Sequence, residues 1–99
     1  MQVSIQSTGI KLNKELKTKI KRKLQFTLSK LEPYIIKISI KLSSTIDTRD
    51  IDNTHCQLTL AIVNQSDIVI EDTQMDLECV LDRVLQKASR IIERLVFNP

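Results

Sequence analysis

Aromatic residues are scarce in this chain of 99 residues, which has two Phe, one Tyr and no Trp. A sheet that binds RNA by stacking bases on aromatic rings is therefore not expected, and the core is predicted to be aliphatic. A single Gly cannot build the Gly-rich loop that cradles phosphates in nucleotide-binding proteins. The length and the 41% apolar content predict one folded domain over residues 1–99.

The two cysteines and the one histidine form no metal or catalytic motif. Cys56 and Cys79 lack CxxC spacing, and with His55 they match no ligand pattern. His55 has no companion Ser/Asp or Cys/Asn pattern, which favours a structural role over nucleophilic catalysis. No apolar run approaches the ~20 residues that span a bilayer, and the N-terminus is not typical of a signal peptide. We therefore expect a cytoplasmic, non-enzymatic protein without metal, cofactor, membrane contact or small-molecule substrate.

Charge, by contrast, is abundant and strongly segregated along the chain. Residues 1–41 hold ten Lys and Arg against two Glu, residues 42–82 hold one Arg against nine Asp and Glu, and residues 83–99 hold four basic residues against one Glu. The three blocks carry net charges of +8, −8 and +3, so the modest total of +3 conceals two basic segments. Basic segments on a small protein predict a polyanionic partner.

Hydrophobic periodicity predicts an α+β fold with the order β-α-β-β-β-α. The simplest packing is a four-stranded sheet with two helices on one face and a polar outer face, as in double-stranded-RNA-binding domains. Alternating residues predict the strands, and a period of 3.6 predicts helices over about residues 13–31 and from about residue 74 onward. The predicted strands are Gln2–Gln6, Ile36–Leu42, Cys56–Ile62 and Ile68–Ile70.

Local signals predict where these elements begin and end. Asn13 is expected to cap the first helix and Pro33 to end it, while Asp72 or Thr73 is expected to cap the last helix. Ile36 is expected on the buried face of its strand. The stretch 43–53 is interpreted as a mobile acidic loop that keeps one end of the molecule away from RNA.

Both helices carry basic faces beside their apolar stripes. On the last helix, four cations from Arg83 to Arg94 follow i, i+4, i+7 and i+11, and at about 100° per residue they form one ridge. This ridge is expected to lie opposite an apolar stripe of Leu77, Leu81, Val84, Ala88, Ile91 and Leu95. On the first helix, like charges repeat at i, i+4, and nothing acidic lies between Lys17 and Lys30. A purely structural surface normally mixes charges of both signs. Phe26 falls on the polar side, where it either contacts a partner or is simply tolerated.

Three sequence motifs occur in a fixed order along the chain. Met1-Gln2-Val3 opens it and leads to Gly9, residues 30–34 are Lys-Leu-Glu-Pro-Tyr, and residues 76–82 are followed by Lys87 and Arg90. These motifs resemble, in order, the first strand and turn, the helix-end signature and the second-helix signature of one family. It is the family of ribosome hibernation-promoting factors and protein Y, also known as sigma factor modulation or S30EA-like proteins. The first helix is about one turn longer than the family pattern.

The resemblance implies a translation regulator that binds the small ribosomal subunit, on 16S rRNA in the mRNA and tRNA channel, and promotes hibernation under stress. It also implies a short form without a dedicated dimerisation domain, and leaves open whether ribosome dimerisation is promoted or blocked. Alternatives are a general module for structured RNA and a protein-interaction regulator of an alternative sigma factor. Four of the predicted RNA contacts match family positions, and four follow from the basic stripes. The eight residues are Lys17, Lys21, Lys23, Lys30, Arg83, Lys87, Arg90 and Arg94.

Overall fold

A computed structural model describes residues 2–97, so Met1 of the opening motif lies outside the described residues. The predicted order β-α-β-β-β-α is confirmed, with the two long helices packed on one face of a four-stranded mixed sheet. A short 3₁₀ helix follows the first α-helix. The elements are β1 Gln2–Thr8, α1 Lys14–Leu28, the 3₁₀ helix Ser29–Tyr34, β2 Ile35–Ile46, β3 Asp52–Ile62, β4 Ile68–Gln74 and α2 Leu77–Phe97.

The sheet has the strand order β1-β2-β3-β4, with β1 parallel to β2 and the other two pairs antiparallel. Successive side chains of a strand point to opposite faces, so the register separates a buried face from a solvated one. Ile40, Leu58 and Ile70 lie side by side under the helices. On the outer face, Ser39 and Thr59 are neighbours. Most of the outer face is polar, as predicted, but the exposed Val69, which pairs with Thr59, adds an apolar side chain to it.

Aliphatic side chains from every layer form the core. Helix α1 contributes Ile20, Leu24 and Leu28, which recur every four residues along one side of the helix. Helix α2 buries a wider face than its predicted stripe, because the side chains between the stripe positions also reach the sheet. The buried residues of α2 are Val80, Leu81, Val84, Leu85, Ala88 and Ile92, whereas Leu77, Ile91 and Leu95 are only half-buried.

The helix termini confirm one predicted cap and correct another. Asn13 caps α1, since its Oδ1 accepts the Leu16 N–H at 2.8 Å. Asp76 caps α2, since its Oδ1 accepts the Cys79 N–H at 2.8 Å. The predicted cap at Asp72 or Thr73 was wrong because both residues continue β4.

The C-terminal end of α1 also differs from the prediction. Pro33 lies inside the 3₁₀ helix instead of ending the α-helix. The last turn of α2 packs onto this segment, where the rings of Tyr34 and Phe97 meet edge to face with centroids 6.0 Å apart. A register irregularity between Ile35 and Lys37 then turns Ile36 outward, so the prediction that Ile36 is buried was wrong.

The β2–β3 hairpin is longer than predicted and projects past both neighbouring strands. Strand β1 ends beside Ser43 and β4 ends beside Thr54, yet β2 and β3 continue to pair as far as Ile46 and Asp52. The turn is closed by Asp47, which accepts the backbone N–H groups of Arg49 and Ile51. The interpretation of this segment as a loop was therefore wrong over most of its length: it forms the end of a β-hairpin with an acidic tip.

Candidate nucleic-acid interface

The basic ridge of α2 lies beside the buried face of the helix, above the edge strand β4, and not opposite the apolar stripe as predicted. Its first two cations contact a carboxylate of that strand. Asp72 follows Ile68 and Ile70 at alternate positions, so its side chain points toward the helices. Asp72 Oδ2 accepts hydrogen bonds from Arg83 Nε at 3.0 Å and Lys87 Nζ at 3.2 Å.

The other carboxylate oxygen of Asp72 is held by its own strand. Oδ1 accepts the Thr73 N–H at 2.8 Å and the Gln74 Nε2 amide at 3.3 Å. Partial burial disfavours the charged carboxylate, but the hydrogen bonds from Arg83, Thr73 and Lys87 outweigh that cost and hold the pKa of Asp72 well below its usual range. Asp72 is therefore a fixed anion under the first half of the ridge.

The second half of the ridge carries uncompensated charge. Arg90 and Arg94 form no ion pair within residues 2–97. Together with Lys87 they line an open groove, to which Val69, Ile70 and Ile91 also contribute. A polar groove of about 270 Å³ adjoins it on the helix, lined by Arg83, Gln86, Lys87 and Arg90.

The two helices run side by side in the same direction and are joined by two ion pairs. Lys19 Nζ lies 2.6 Å from Glu78 Oε1, and one turn further along Lys23 pairs with Asp82. Lys23 is therefore partly covered, with 28% of its side chain exposed. Its charge is therefore neutralised locally by Asp82.

The remaining predicted contacts on α1 are exposed and carry no ion pair within the described chain. Lys17 and Lys21 lie on the flank of α1 away from α2, and Lys30 lies in the 3₁₀ helix. The structure thus groups Arg83, Lys87, Arg90 and Arg94 on one surface, but it does not bring Lys17 and Lys21 next to them. Phe26 projects from the outer side of α1, with 87% of its surface exposed.

His55 and Cys56 have structural surroundings, whereas Cys79 is exposed. The His55 ring joins β3 to β4, with Nδ1 2.8 Å from Thr73 Oγ1 and Nε2 3.1 Å from Glu71 Oε1. Cys56 is fully buried, and burial raises the pKa of its thiol to about 12. Over residues 2–97, no three His, Cys, Asp or Glu side chains converge on a metal-sized site. Neither helix of this part of the chain has the length and hydropathy needed to cross a membrane.

Sequence reasoning missed Asp72 as part of this surface. The last strand was predicted to stop at Ile70, and Asp72 was assigned to the helix start. The signal was present, because Ile68, Ile70 and Asp72 share one face of a strand that continues to Gln74. An aspartate on the buried face of an edge strand needs hydrogen-bond donors or a cation nearby, because burial of an unpaired charge is costly.

The fold and the surface define a class: a small α+β domain with two parallel helices that present a cationic face on one side of a mixed sheet. The chain belongs to the family described as sigma 54 modulation protein / S30EA ribosomal protein, whose model matches residues 3–96. This confirms the family resemblance inferred from the sequence motifs.

Solved structures of low sequence identity share the fold. A ribosomal subunit interface protein from Coxiella burnetii superposes with a TM-score of 0.78 at 15% identity, over 96% of this chain and 97% of the other. The N-terminal domain of Thermus thermophilus Protein Y gives a TM-score of 0.70 at 12% identity, over 96% of this chain and 99% of the other. No curated protein matches this sequence.

Proposed function

We propose that residues 1–99 form a ribosome-binding domain of a non-enzymatic, cytoplasmic translation regulator. It binds 16S rRNA of the small ribosomal subunit in the mRNA and tRNA channel and promotes ribosome hibernation under stress. Family membership and the names of the two structural neighbours support a ribosomal partner. The observation that carries the proposal is the cationic surface of α2, where Arg90 and Arg94 have no ion-pair partner in the described chain.

Such a surface suits rRNA because lysine and arginine contacts to phosphates fix the position of a protein on the backbone without reading bases. Among residues 2–97, the outer face of the sheet carries no Phe, Tyr or Trp, and the His55 ring is hydrogen-bonded to Thr73 and Glu71. Recognition by backbone and shape is therefore the mode that this chemistry supports. The four ridge residues are the primary proposed contacts. Lys17, Lys21 and Lys30 are proposed as a second set on α1, and Lys23 as a contact that must first leave Asp82.

Cosedimentation with separated small and large subunits tests the proposal. Replacing Arg90 and Arg94 with Glu should abolish binding to small subunits, because two attractive charges become repulsive beside phosphates. Lys87 is a poor target, since Lys87→Glu would place a second carboxylate beside Asp72. The matched control replaces Lys37 and Lys41 with Glu, which makes the same change in net charge on the exposed outer face of β2.

Binding by the α2 variant at wild-type affinity would overturn the assignment of this surface. Equal loss by both double variants would point to attraction without a specific site.

A competition experiment tests which partner is bound. We expect mRNA and initiator tRNA to displace the protein from small subunits, and free duplex RNA to compete poorly. Equal competition by duplex RNA would favour a general structured-RNA module, and capture of an alternative sigma factor without subunit binding would favour the other activity in the family description.

A further inference from the structure

We propose that the polar groove lined by Arg83, Gln86, Lys87 and Arg90 binds a single phosphate group, with Asp72 as the residue that positions two of its cations. The proposal deepens the proposed function and rests on it for the source of the phosphate, an RNA backbone. It assigns Asp72 a role that its charge alone would not suggest, because a carboxylate near an RNA site is ordinarily repulsive.

The argument begins with how Arg83 is held. Asp72 accepts from Arg83 through Nε only, at 3.0 Å, and no hydrogen bond from the Nη atoms is recorded in residues 2–97. Lys87 likewise gives one of its three ammonium donors to Asp72. Both cations therefore keep donors for a ligand while their side chains are fixed in place.

A second arginine of the chain shows the contrasting arrangement. Arg49, at the hairpin tip, donates to Asp47 through both Nε at 3.3 Å and Nη2 at 2.9 Å. That guanidinium uses the two-pronged edge that would otherwise grip a phosphate. Arg83 instead contacts Asp72 through Nε alone, and Lys87 and Arg90 line the same groove.

The carboxylate can position these cations because it is itself rigid. Its other oxygen is held by the Thr73 N–H and the Gln74 amide, both within β4. Three cations against one carboxylate leave the groove positive, so a phosphate is still attracted. Asp72 fixes Arg83 and Lys87 before binding, so less side-chain freedom is lost when the phosphate arrives.

The decisive variant is Asp72→Asn, which removes the charge and keeps the shape. If Asp72 only neutralises the ridge, this variant should bind small subunits more tightly, since the net charge rises by one. If Asp72 positions the cations, binding should weaken by about tenfold, because two long side chains must then be ordered by the ligand. The charge-matched control is Asp67→Asn, at an exposed loop residue before β4 that forms no ion pair within residues 2–97. This variant should bind as well as wild type or slightly better.

A second measurement needs no ribosome and keeps the site testable on its own. Inorganic phosphate is titrated into the wild-type protein at constant ionic strength while the side-chain Nε–H resonances of Arg83 and Arg49 are followed by NMR. A saturable shift at Arg83 and none at Arg49 is expected, and Asp72→Asn should weaken the Arg83 response. Equal responses at the two arginines, or an adventitious ion only, would overturn the phosphate site.

The two measurements separate the two proposals. Failure of wild-type protein to bind small subunits, with a normal phosphate response at Arg83, would reject the ribosomal role and leave the phosphate site standing. Subunit binding that is equal or tighter in Asp72→Asn, with the variant shown to be folded by its melting curve, would reject the positioning role of Asp72.

Discussion

At the scale of single residues, Asp72 governs the chemistry of the candidate surface. Four hydrogen-bond donors converge on its carboxylate, two from α2 and two from β4. Removal of such an acceptor leaves its donors without their partner, so Asp72 also contributes to stability by fastening α2 to the edge strand. The effect of Asp72 on stability can be measured through its dependence on pH, and its effect on binding through the affinity for small subunits. The two effects can therefore be measured separately.

The stabilising effect of Asp72 should depend on pH in a defined direction. An unfolded aspartate titrates near pH ~3.9, and the hydrogen bonds place the pKa of Asp72 in the folded protein below that value. Its contribution is therefore present above about pH 4 and is lost as the pH falls toward the folded pKa. Urea unfolding of wild type and Asp72→Asn should show the largest difference in unfolding free energy at neutral pH and a shrinking difference below about pH 4.

The comparison of the two proteins isolates Asp72 from other acidic groups. Asp47 and Asp76 also have lowered pKa values, chiefly because backbone N–H groups of Ile51 and Cys79 donate to them, and both are present in wild type and variant. Parallel stability curves for the two proteins down to pH 2 would show that the Asp72 contacts do not stabilise the folded state.

At the scale of elements, the two helices are joined by ion pairs as well as by the core. Lys19 and Lys23 of α1 face Glu78 and Asp82 of α2 at matching four-residue intervals. Pairs this exposed contribute little to stability, whereas the aliphatic side chains beneath them are fully buried. The pairs therefore matter more for which cations are available to a partner than for the packing of the helices.

Asp82→Asn tests that availability. The change should alter the free energy of unfolding by less than about 1 kcal/mol, and affinity for small subunits should rise because Lys23 is released. Glu93→Gln is the control, because Glu93 is exposed on the same helix and forms no ion pair within residues 2–97. This substitution removes an equal charge without freeing a lysine. Equal gains for the two variants in equilibrium binding would show that Lys23 is not a contact.

The elements also show what can be predicted from a sequence of this kind. Clean alternation, as in Ile38, Ile40 and Leu42, and four-residue recurrence, as in Ile20, Leu24 and Leu28, predicted the strand and helix types and their order. The ends of elements were harder, because Asp72 and Thr73 are chemically suited to a cap and only the pairing with β3 keeps them in a strand. The ridge was found from its spacing, but its acidic partner was not, since ion pairs between elements depend on tertiary contacts.

At the scale of the whole molecule, the net charge of +3 is a poor guide to binding. The acidic hairpin tip and the cationic surface of α2 are separate. A partner close to either surface therefore meets a local charge density much higher than the net charge of the molecule suggests. At physiological salt the Debye length is about 8 Å, which is shorter than the 43 Å long axis of the molecule. Each surface therefore acts largely on its own.

Binding to small subunits should accordingly depend steeply on salt. If six or more cations contact phosphates, affinity should fall by roughly 10³-fold or more between about 50 and 200 mM salt, on the scale established for DNA. Neutralising Arg90 and Arg94 to Gln should reduce the slope of log affinity against log salt by about two. The same change at Lys37 and Lys41 should leave this slope unaltered. If the slope of log affinity against log salt for wild type were near zero, the contact would instead be an apolar one with a protein.

The projecting β2–β3 hairpin has a consequence for the speed of encounter. Both helices begin at the hairpin end of the sheet, since β1 ends beside Ser43 and α2 follows the strand that ends beside Thr54. Arg90 and Arg94 thus lie toward the opposite end from Asp47 and Asp52, and these four charges contribute a dipole component along the molecule. Within about a Debye length of a phosphate-rich surface, the field exerts a torque on that component, and the torque turns the arginines toward the surface. A larger share of collisions then begins in the productive orientation.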